Sequence, residues 1–376
     1  MAVNLATKYS SKVDEVIING ALSAPSVNQE YDFIGAKTVK VYSFDPVAMN
    51  DYTRSGSNRF GSPSELPDTT QTLTITQDRA FTFTIDKGNK IDTPAGVREA
   101  AKALRRQIDL VIQPEIDRYR FTEIAKAAGH KFYASTLLTN STAYAAFLEA
   151  NQAIDNADIP TSGRVANVSP WFYNLIKQDD AFVKQGDLSQ NMLIKGQVGE
   201  LDGVAIVKVA PSRLPAGCLF EITHPLACVA PVKLEEYRIH QDPPGISGQL
   251  AEGRVYYDAF ILDKKKDMIS VYYGNTSASN ALTLTATAGT SATTSKITVA
   301  GNTGGGVLVY RGDCTSATAA GNVIDIGDDV SGSSWTAFPS DGVVTTADGK
   351  YIAVAVKVDG KCVAGGVVAA VVGTGS

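Results

Sequence analysis

Residues Asp92 to Gly129, DTPAGVREAAKALRRQIDLVIQPEIDRYRFTEIAKAAG, constrain the fold more than any other stretch of the chain. Val97, Ala101, Leu104, Ile108 and Val111 recur at alternating steps of four and three, which predicts one apolar stripe along a helix. Asp92 or Thr93 is placed to cap it, and Pro94 follows where a missing N–H costs nothing. Gly129 is a natural stop. At ~1.5 Å per residue such a helix is on the order of 50 Å long, so it acts as a spine and not as core filling. Pro114 predicts a bend, after which the stripe resumes at Ile116, Tyr119 and Ile124. The repeat before Pro114 is too short for a coiled-coil seam.

A chain of 376 residues has room for two or three domains, and 44% apolar with 19% charged residues is a globular composition. The net charge of -5 argues against a dedicated nucleic-acid binder. Cys218, Cys228, Cys314 and Cys362 have no metal-type spacing and follow no signal peptide, so reduced thiols in a cytosolic product are expected, with a Cys314–Cys362 bond if geometry allows. No apolar run approaches the ~20 residues that span a bilayer.

Along the chain, residues 1–36 hold one weak amphipathic segment, Lys12 to Ile18, then a polar stretch with Pro25 that is expected to lie on another surface, such as a neighbouring subunit. Lys37 to Phe44 alternates Val39, Val41 and Ser43 against Lys40, Tyr42 and Phe44, as a strand does. Gln71 to Asp86 alternates Leu73, Ile75, Phe81, Phe83 and Ile85. The loop between them, of about 25 residues, far exceeds the ~2–5 residues of a common hairpin. Its Arg54, Arg59, Phe60 and Glu65 are the candidate inter-subunit contacts.

Past the spine, Asn140 to Asn156 reads as a helix carrying Tyr144, Phe147, Leu148 and Ile154, with Ser141 or Thr142 as cap. Pro160 marks a boundary. RVANVS then predicts a strand, PWFYNLIKQ a helix opened by Pro170, a polar loop runs to about Ser189, and MLIKGQVGELDGVAIVKV predicts two strands around Asp202-Gly203, together an inserted α+β domain. From Leu219 the chain returns to its first domain, with a turn at Asp242 to Gly245 and then an expected hairpin, RVYYDAFILD and DMISVYY, tipped by Lys264, Lys265 and Lys266. Beyond Gly274, LTLTATA, KITVAG, GVLVYRG, YIAVAVKV and CVAGGVVAAVV predict a β-sandwich of immunoglobulin-like type, without the Cys, Trp, Cys spacing of antibody domains.

Catalysis leaves clusters of titratable groups, and none is evident. His130, His224 and His240 are scattered, and no His or Cys pair has metal-ligand spacing. Gly304-Gly305-Gly306 reads as an exposed loop without phosphate-loop context, and Arg311-Gly312-Asp313 as a chance match to an adhesion tripeptide in a turn. Asn140, Asn167 and Asn275 begin glycosylation sequons that mean nothing without a secretory signal. No catalytic residue, cofactor or metal is expected.

The segments ATKYSSKVDEVI, KTVKVYSFDPVAMNDYTRSG, LTITQDRAFTFTID, KALRRQIDLVIQPEIDRYR, and RVANVSPWFYNLIK through VGELDGVAIVKV follow one another in an order that resembles the major capsid proteins of tailed bacteriophages, which share the Johnson fold. The resemblance covers about residues 1–274. It implies an α+β fold with 1–36 as N-terminal arm, 37–91 as extended loop, 92–159 with 219–274 as peripheral domain and 160–218 as axial domain, followed by 277–376 as an added, outward-facing β domain. It further implies a homo-oligomer of hexamers and pentamers in a virion, assembled in the host cytoplasm, with a separate scaffolding protein, a portal protein and DNA enclosed without tight specific binding. Some relatives cross-link an extended-loop lysine to a neighbour; from Tyr42 to Asp86 this chain has no Lys, so no such bond is expected. An encapsulin-type compartment, or a carbohydrate- or surface-binding protein acting through residues 277–376, are the alternatives.

Overall fold

The computed structural model describes residues 21–28, 30–31, 37–63, 65–88, 100–134, 136–179, 199–274 and 282–373. The amphipathic segment Lys12 to Ile18, the cap and first turn at Asp92 to Val97, the loop to Ser189, the strand expected from Met192, and Asn275 lie outside the described residues.

Strands β1 (Thr38–Phe44) and β2 (Asp68–Thr74) form an antiparallel ribbon in register from Thr38 opposite Thr74 to Phe44 opposite Asp68, and among the described residues they pair with no other strand. The single alternating run expected from Gln71 to Asp86 is broken at Ile75-Thr76, where β3 (Gln77–Asp86) leaves for another sheet. The break has a cause: the Asp258 carboxylate accepts both the backbone N–H (2.7 Å) and the hydroxyl (2.9 Å) of Thr76, diverting the backbone from the ladder.

The spine comprises α1 (Ala100–Gln107), a π turn (Ile108–Ile112) and α2 (Gln113–Ala127), about 40 Å in length at ~1.5 Å per residue. Pro114 sits in the first turn of α2, and the π turn just before it absorbs the hydrogen bond that proline cannot donate. The expected stripe holds only in part. Val111 is 45% exposed and Ala101 is exposed, whereas α2 buries Asp117, Arg120, Phe121, Ile124 and Ala125. Gly129 ends the spine by close approach, since a Cβ there would lie 2.8 Å from the Lys266 carbonyl oxygen.

Next come β4 (His130–Ala134), α3 (Asn140–Asn156), β5 (Val165–Val168), α4 (Pro170–Gln178), β6 (Glu200–Leu201), β7 (Val204–Lys208) and β8 (Cys218–Thr223). Both helices match their expected spans, but α3 is capped by Thr139 in a reciprocal capping box with Thr142, not by Ser141 or Thr142. Asp202 (φ 52) and Gly203 (φ 74) make the β6–β7 turn with two left-handed residues, the tight-hairpin geometry their identities favour.

The chain continues through β9 (Cys228–Val229), β10 (Val232–Gln241), β11 (Gly248–Tyr257), β12 (Phe260–Ile261) and β13 (Ile269–Gly274). The hairpin expected from RVYYDAFILD and DMISVYY does not form. Instead β11 lies between β10 and β3, β12 pairs with β9, and β13 enters a six-stranded sheet ordered β4-β13-β8-β5-β7-β6. Asp258 and a 3-10 turn at Asp263–Met268 redirect the chain, and the three lysines sit on that turn, half exposed. An aromatic stack from Phe132 through Tyr272 and Phe220 to Phe172, with ring centroids 5.7, 5.2 and 4.5 Å apart, joins one face of the six-stranded sheet to α3 and α4. The spine's Phe121, Ile124 and Ala125 belong to the cluster with Val271 and Tyr273 on the other face.

Residues 282–373 form β14 (Thr283–Ala288), β15 (Thr294–Ala300), β16 (Val307–Cys314), the short α5 (Ala317–Gly321), β17 (Thr336–Ala337), β18 (Val343–Thr345), β19 (Tyr351–Val358) and β20 (Lys361–Ala369). They make two antiparallel sheets, β14-β15-β18 and β17-β16-β19-β20. Ile352, Val354, Val356, Val358 and Val363 share one hydrophobic cluster with Phe121 and Ile124 of the spine, so this unit completes the main core. Ala216 N–H donates to Gly304 O (2.7 Å), Asn302 donates to Pro211 O and Leu214 O, and Lys131 pairs with Asp359. Gly304 to Gly306, expected as an exposed loop, are half-buried in this junction, where a Cβ on Gly305 would lie 3.1 Å from Pro215. Arg311 and Asp313 lie in β16 and pair with each other, not in a turn. All four cysteines are free and buried.

Candidate assembly interface

Seven of the thirteen exposed large apolar side chains among the described residues fall between Tyr42 and Leu66, on the ribbon and its loop. Alternation supplies the first of them: β1 turns Val39 and Val41 toward the body and leaves Tyr42 and Phe44 in solvent. The loop supplies the rest, with Met49 99% and Phe60 83% exposed. Isolated exposed apolar groups need no explanation, but a group of them carried on one ribbon is a candidate contact surface.

The loop end is ordered by its own bonds. Thr53 N–H donates to Arg59 O (3.0 Å), Gly61 N–H to Asn58 O (2.9 Å), and the Arg59 side chain to Gly56 O (3.1 Å). Tyr52 meets Phe60 edge to face at 5.0 Å. Of the four candidate contacts, Arg59 and Phe60 belong to this knot, Arg54 lies within it, and Glu65 sits on the returning limb; all four are exposed.

The root of the ribbon is fastened to the body by residues that the sequence reading missed. The Gln71 side chain donates to Ile261 O (2.9 Å) and accepts from Asp263 N–H (3.0 Å), so one amide spans two backbone groups. Lys264 pairs with Asp45 and donates to Phe44 O (3.1 Å). Leu73 and Ile75 are buried with Val229 and Leu262. Asp258, besides holding Thr76, accepts from the Tyr119 hydroxyl at 2.7 Å, which joins the root to the spine; burial, with this bond second, raises the Tyr119 pKa. The usable signal was Gln71 itself, a long amide on the β2 face that otherwise points inward with Leu73 and Ile75.

Among the described residues no three His, Cys, Asp or Glu side chains are grouped to hold a metal, and no helix is long and apolar enough to cross a membrane.

Similarity searches bear on what this geometry is for. A Mycobacterium phage Che8 structure superposes with TM-score 0.61 at 17% identity, covering 71% of this chain and 96% of that one. The capsid of the cyanophage P-SCSP1u gives 0.58 at 12%, covering 72% and 93%, and the mature capsid of bacteriophage PhiM1 gives 0.58 at 14%, covering 73% and 92%. This chain has a phage capsid fold. No protein-family model and no curated protein matches the sequence. The matched chains are spanned nearly end to end, and about a quarter of this chain is left over.

Proposed function

We propose that this protein is a structural shell subunit, the major capsid protein of a tailed phage, which assembles through hexamers and pentamers into an icosahedral head around DNA. The observation that carries the reading is the ribbon: a rigidly rooted arm on a phage capsid fold, with its apolar side chains uncovered by its own chain. A ring of identical subunits covers each arm with the next subunit's surface, and closed rings need such a heterologous contact. Residues 1–36 act as the arm, 37–91 as the extended loop, 92–159 with 219–274 as the peripheral domain, and 160–218 as the axial domain. Residues 277–376 form an outward-facing unit with an immunoglobulin-like sandwich plan. Arg54, Arg59, Phe60 and Glu65 make inter-subunit contacts. The chain works in the virion, is assembled in the host cytoplasm with a separate scaffolding protein and a portal protein, and is not an enzyme. Its mild acidity suits a wall that does not grip DNA.

Electron microscopy of the purified chain tests this. Closed shells or hexameric plates are expected; a monodisperse monomer with glycan affinity or catalytic turnover overturns it.

A further inference from the structure

Residues 22–28 are seated on the body by side-chain chemistry and, at Asn28 alone, by backbone bonds to Cys228 O and from Ala230 N–H (2.9 Å each) and a side-chain bond to Pro225 O (2.6 Å). Asp117 of the spine accepts the backbone N–H groups of Leu22 (2.9 Å) and Ser23 (3.2 Å), and Arg120 donates to the Ser23 hydroxyl (3.1 Å). Farther along, the hydroxyl of fully buried Ser26 donates to Asn167 Oδ1 (3.2 Å) and accepts from Asn167 Nδ2 (2.8 Å). The same Nδ2 donates to Glu221 Oε1 (3.1 Å). Asn167 and Glu221 face each other across the β5–β8 ladder, so the segment hangs from the centre of the six-stranded sheet through two side chains.

Glu221 is 0% exposed, and among the described residues its Oε2 has no hydrogen-bond partner and neither oxygen meets a cation. A carboxylate in that position would be an anion with one hydrogen bond and no counter-charge, which a low-dielectric interior disfavours strongly. The ionisable groups within its reach bring no cationic partner. They are Cys218 on its own strand, Tyr273 on β13, and Cys228 on β9, the last also influenced by Arg120 and Glu123 of the spine. Burial pushes both thiols and the phenol up, so all three are neutral near pH 7. Burial likewise pushes the Glu221 carboxyl up to about 8, against a lowering pull from Asn167.

We propose that Glu221 is a proton-operated latch: protonated, it lets residues 22–28 close over the sheet, and on losing its proton to solvent it unseats them while the body stays folded. The segment yields first because of how each neighbour is held. Strands β5 and β8 are paired on both sides within the sheet. Residues 22–28 are held by side chains, local turn bonds and one bridge at Asn28–Val229. Lifting them opens the Ser26–Asn167–Glu221 chain of bonds without breaking a strand pairing of the sheet. This inference stands on the fold alone and does not require the shell reading.

The test is hydrogen exchange on the purified full-length chain between pH 6 and 9.5, corrected for intrinsic rates, comparing wild type with Glu221→Gln, which copies the protonated shape. In the wild type, exchange of residues 21–28 is expected to rise by up to about tenfold per pH unit up to ~8 and to level off above it. In Glu221→Gln it stays flat. Equal profiles in the two proteins overturn the proposal, as does simultaneous loss of protection in residues 218–223, which would mean global unfolding and not a local latch.

Discussion

Asp117 and Arg213 form an ion pair at 2.7 Å with side chains only 1% and 6% exposed, joining the spine to the turn before β8. Arg118, one residue on, donates to Ser212 O at 2.9 Å, so the same turn is held twice from one helix. Breaking one partner of a buried pair strands the other charge. Asp117→Ala is therefore expected to destabilise by about 3–5 kcal/mol, read from urea unfolding, and it also removes the acceptor for Leu22 and Ser23. A double replacement, Asp117→Leu with Arg213→Met, is expected to recover a substantial part of the loss.

Arg164 is the bulkiest fully buried side chain described, and all three of its guanidinium nitrogens are engaged. It donates to Pro160 O (3.0 Å), Ile159 O (2.6 Å) and Asn151 Oδ1 (2.6 Å), and pairs with Asp155 at 2.7 Å. Asn151 in turn donates to Asp202 in the β6–β7 turn. Arg164→Met keeps the volume and discards the donors; a loss of roughly 3 kcal/mol in chemical denaturation is the expected outcome.

Gly217 tests the seam with the C-terminal unit. Its φ of +69 is left-handed, and a Cβ there would overlap the Val363 carbonyl oxygen. Gly217→Ala is expected to destabilise by about 2–4 kcal/mol, and deletion of residues 277–376 to leave an insoluble or molten body that binds hydrophobic dyes.

Met49 and Phe60 carry no stabilising burial, so replacing both by Ser should alter unfolding free energy by no more than about 0.5 kcal/mol. Particle formation, followed by sedimentation velocity, should nonetheless fall sharply.

The pH dependence of stability follows from Glu221. Its pKa is raised from 4.5 to about 8 on folding, so the native state holds a proton that the unfolded chain has released. The contribution is complete below ~4.5 and is lost as pH rises through about 8, the sign opposite to that of a salt-bridged carboxylate. Between pH 5 and 9 the wild type is expected to lose roughly 2–4 kcal/mol relative to Glu221→Gln in parallel unfolding titrations.

The spans of α3, α4 and most strands were legible because their signals are local: Pro170 in a first turn, Asp202-Gly203 between alternating runs, and Asp359-Gly360 joining β19 to β20. What was not legible depends on groups brought together over distance. Asp258 decides that β2 and β3 part company and that no hairpin follows β11, yet in sequence it is one acid inside the run RVYYDAFILD, which reads as a single strand. Val111 fits the apolar stripe but is exposed, because it lies in the π turn, which shifts the helical register that the stripe assumes. The seat of residues 22–28 was half visible: Asp117, Arg120, Phe121 and Ile124 recur at steps of three and four, so two charges share the buried face. Periodicity shows which positions face inward, but it cannot say that a charge among them has found a partner.

The pairing of Lys131 with Asp359 makes two neighbouring turns of the C-terminal unit unequal for engineering. Asp359-Gly360 abuts the body through that ion pair, and a Cβ on Gly360 would also meet Ser331 of its own unit at 3.5 Å. Gly349, in the turn before β19, has nothing within 4 Å and its residue is exposed. A foreign peptide spliced beside Gly349 would be displayed freely on a rigid pedestal, whereas the same insertion at Asp359 would pry the pedestal from its base.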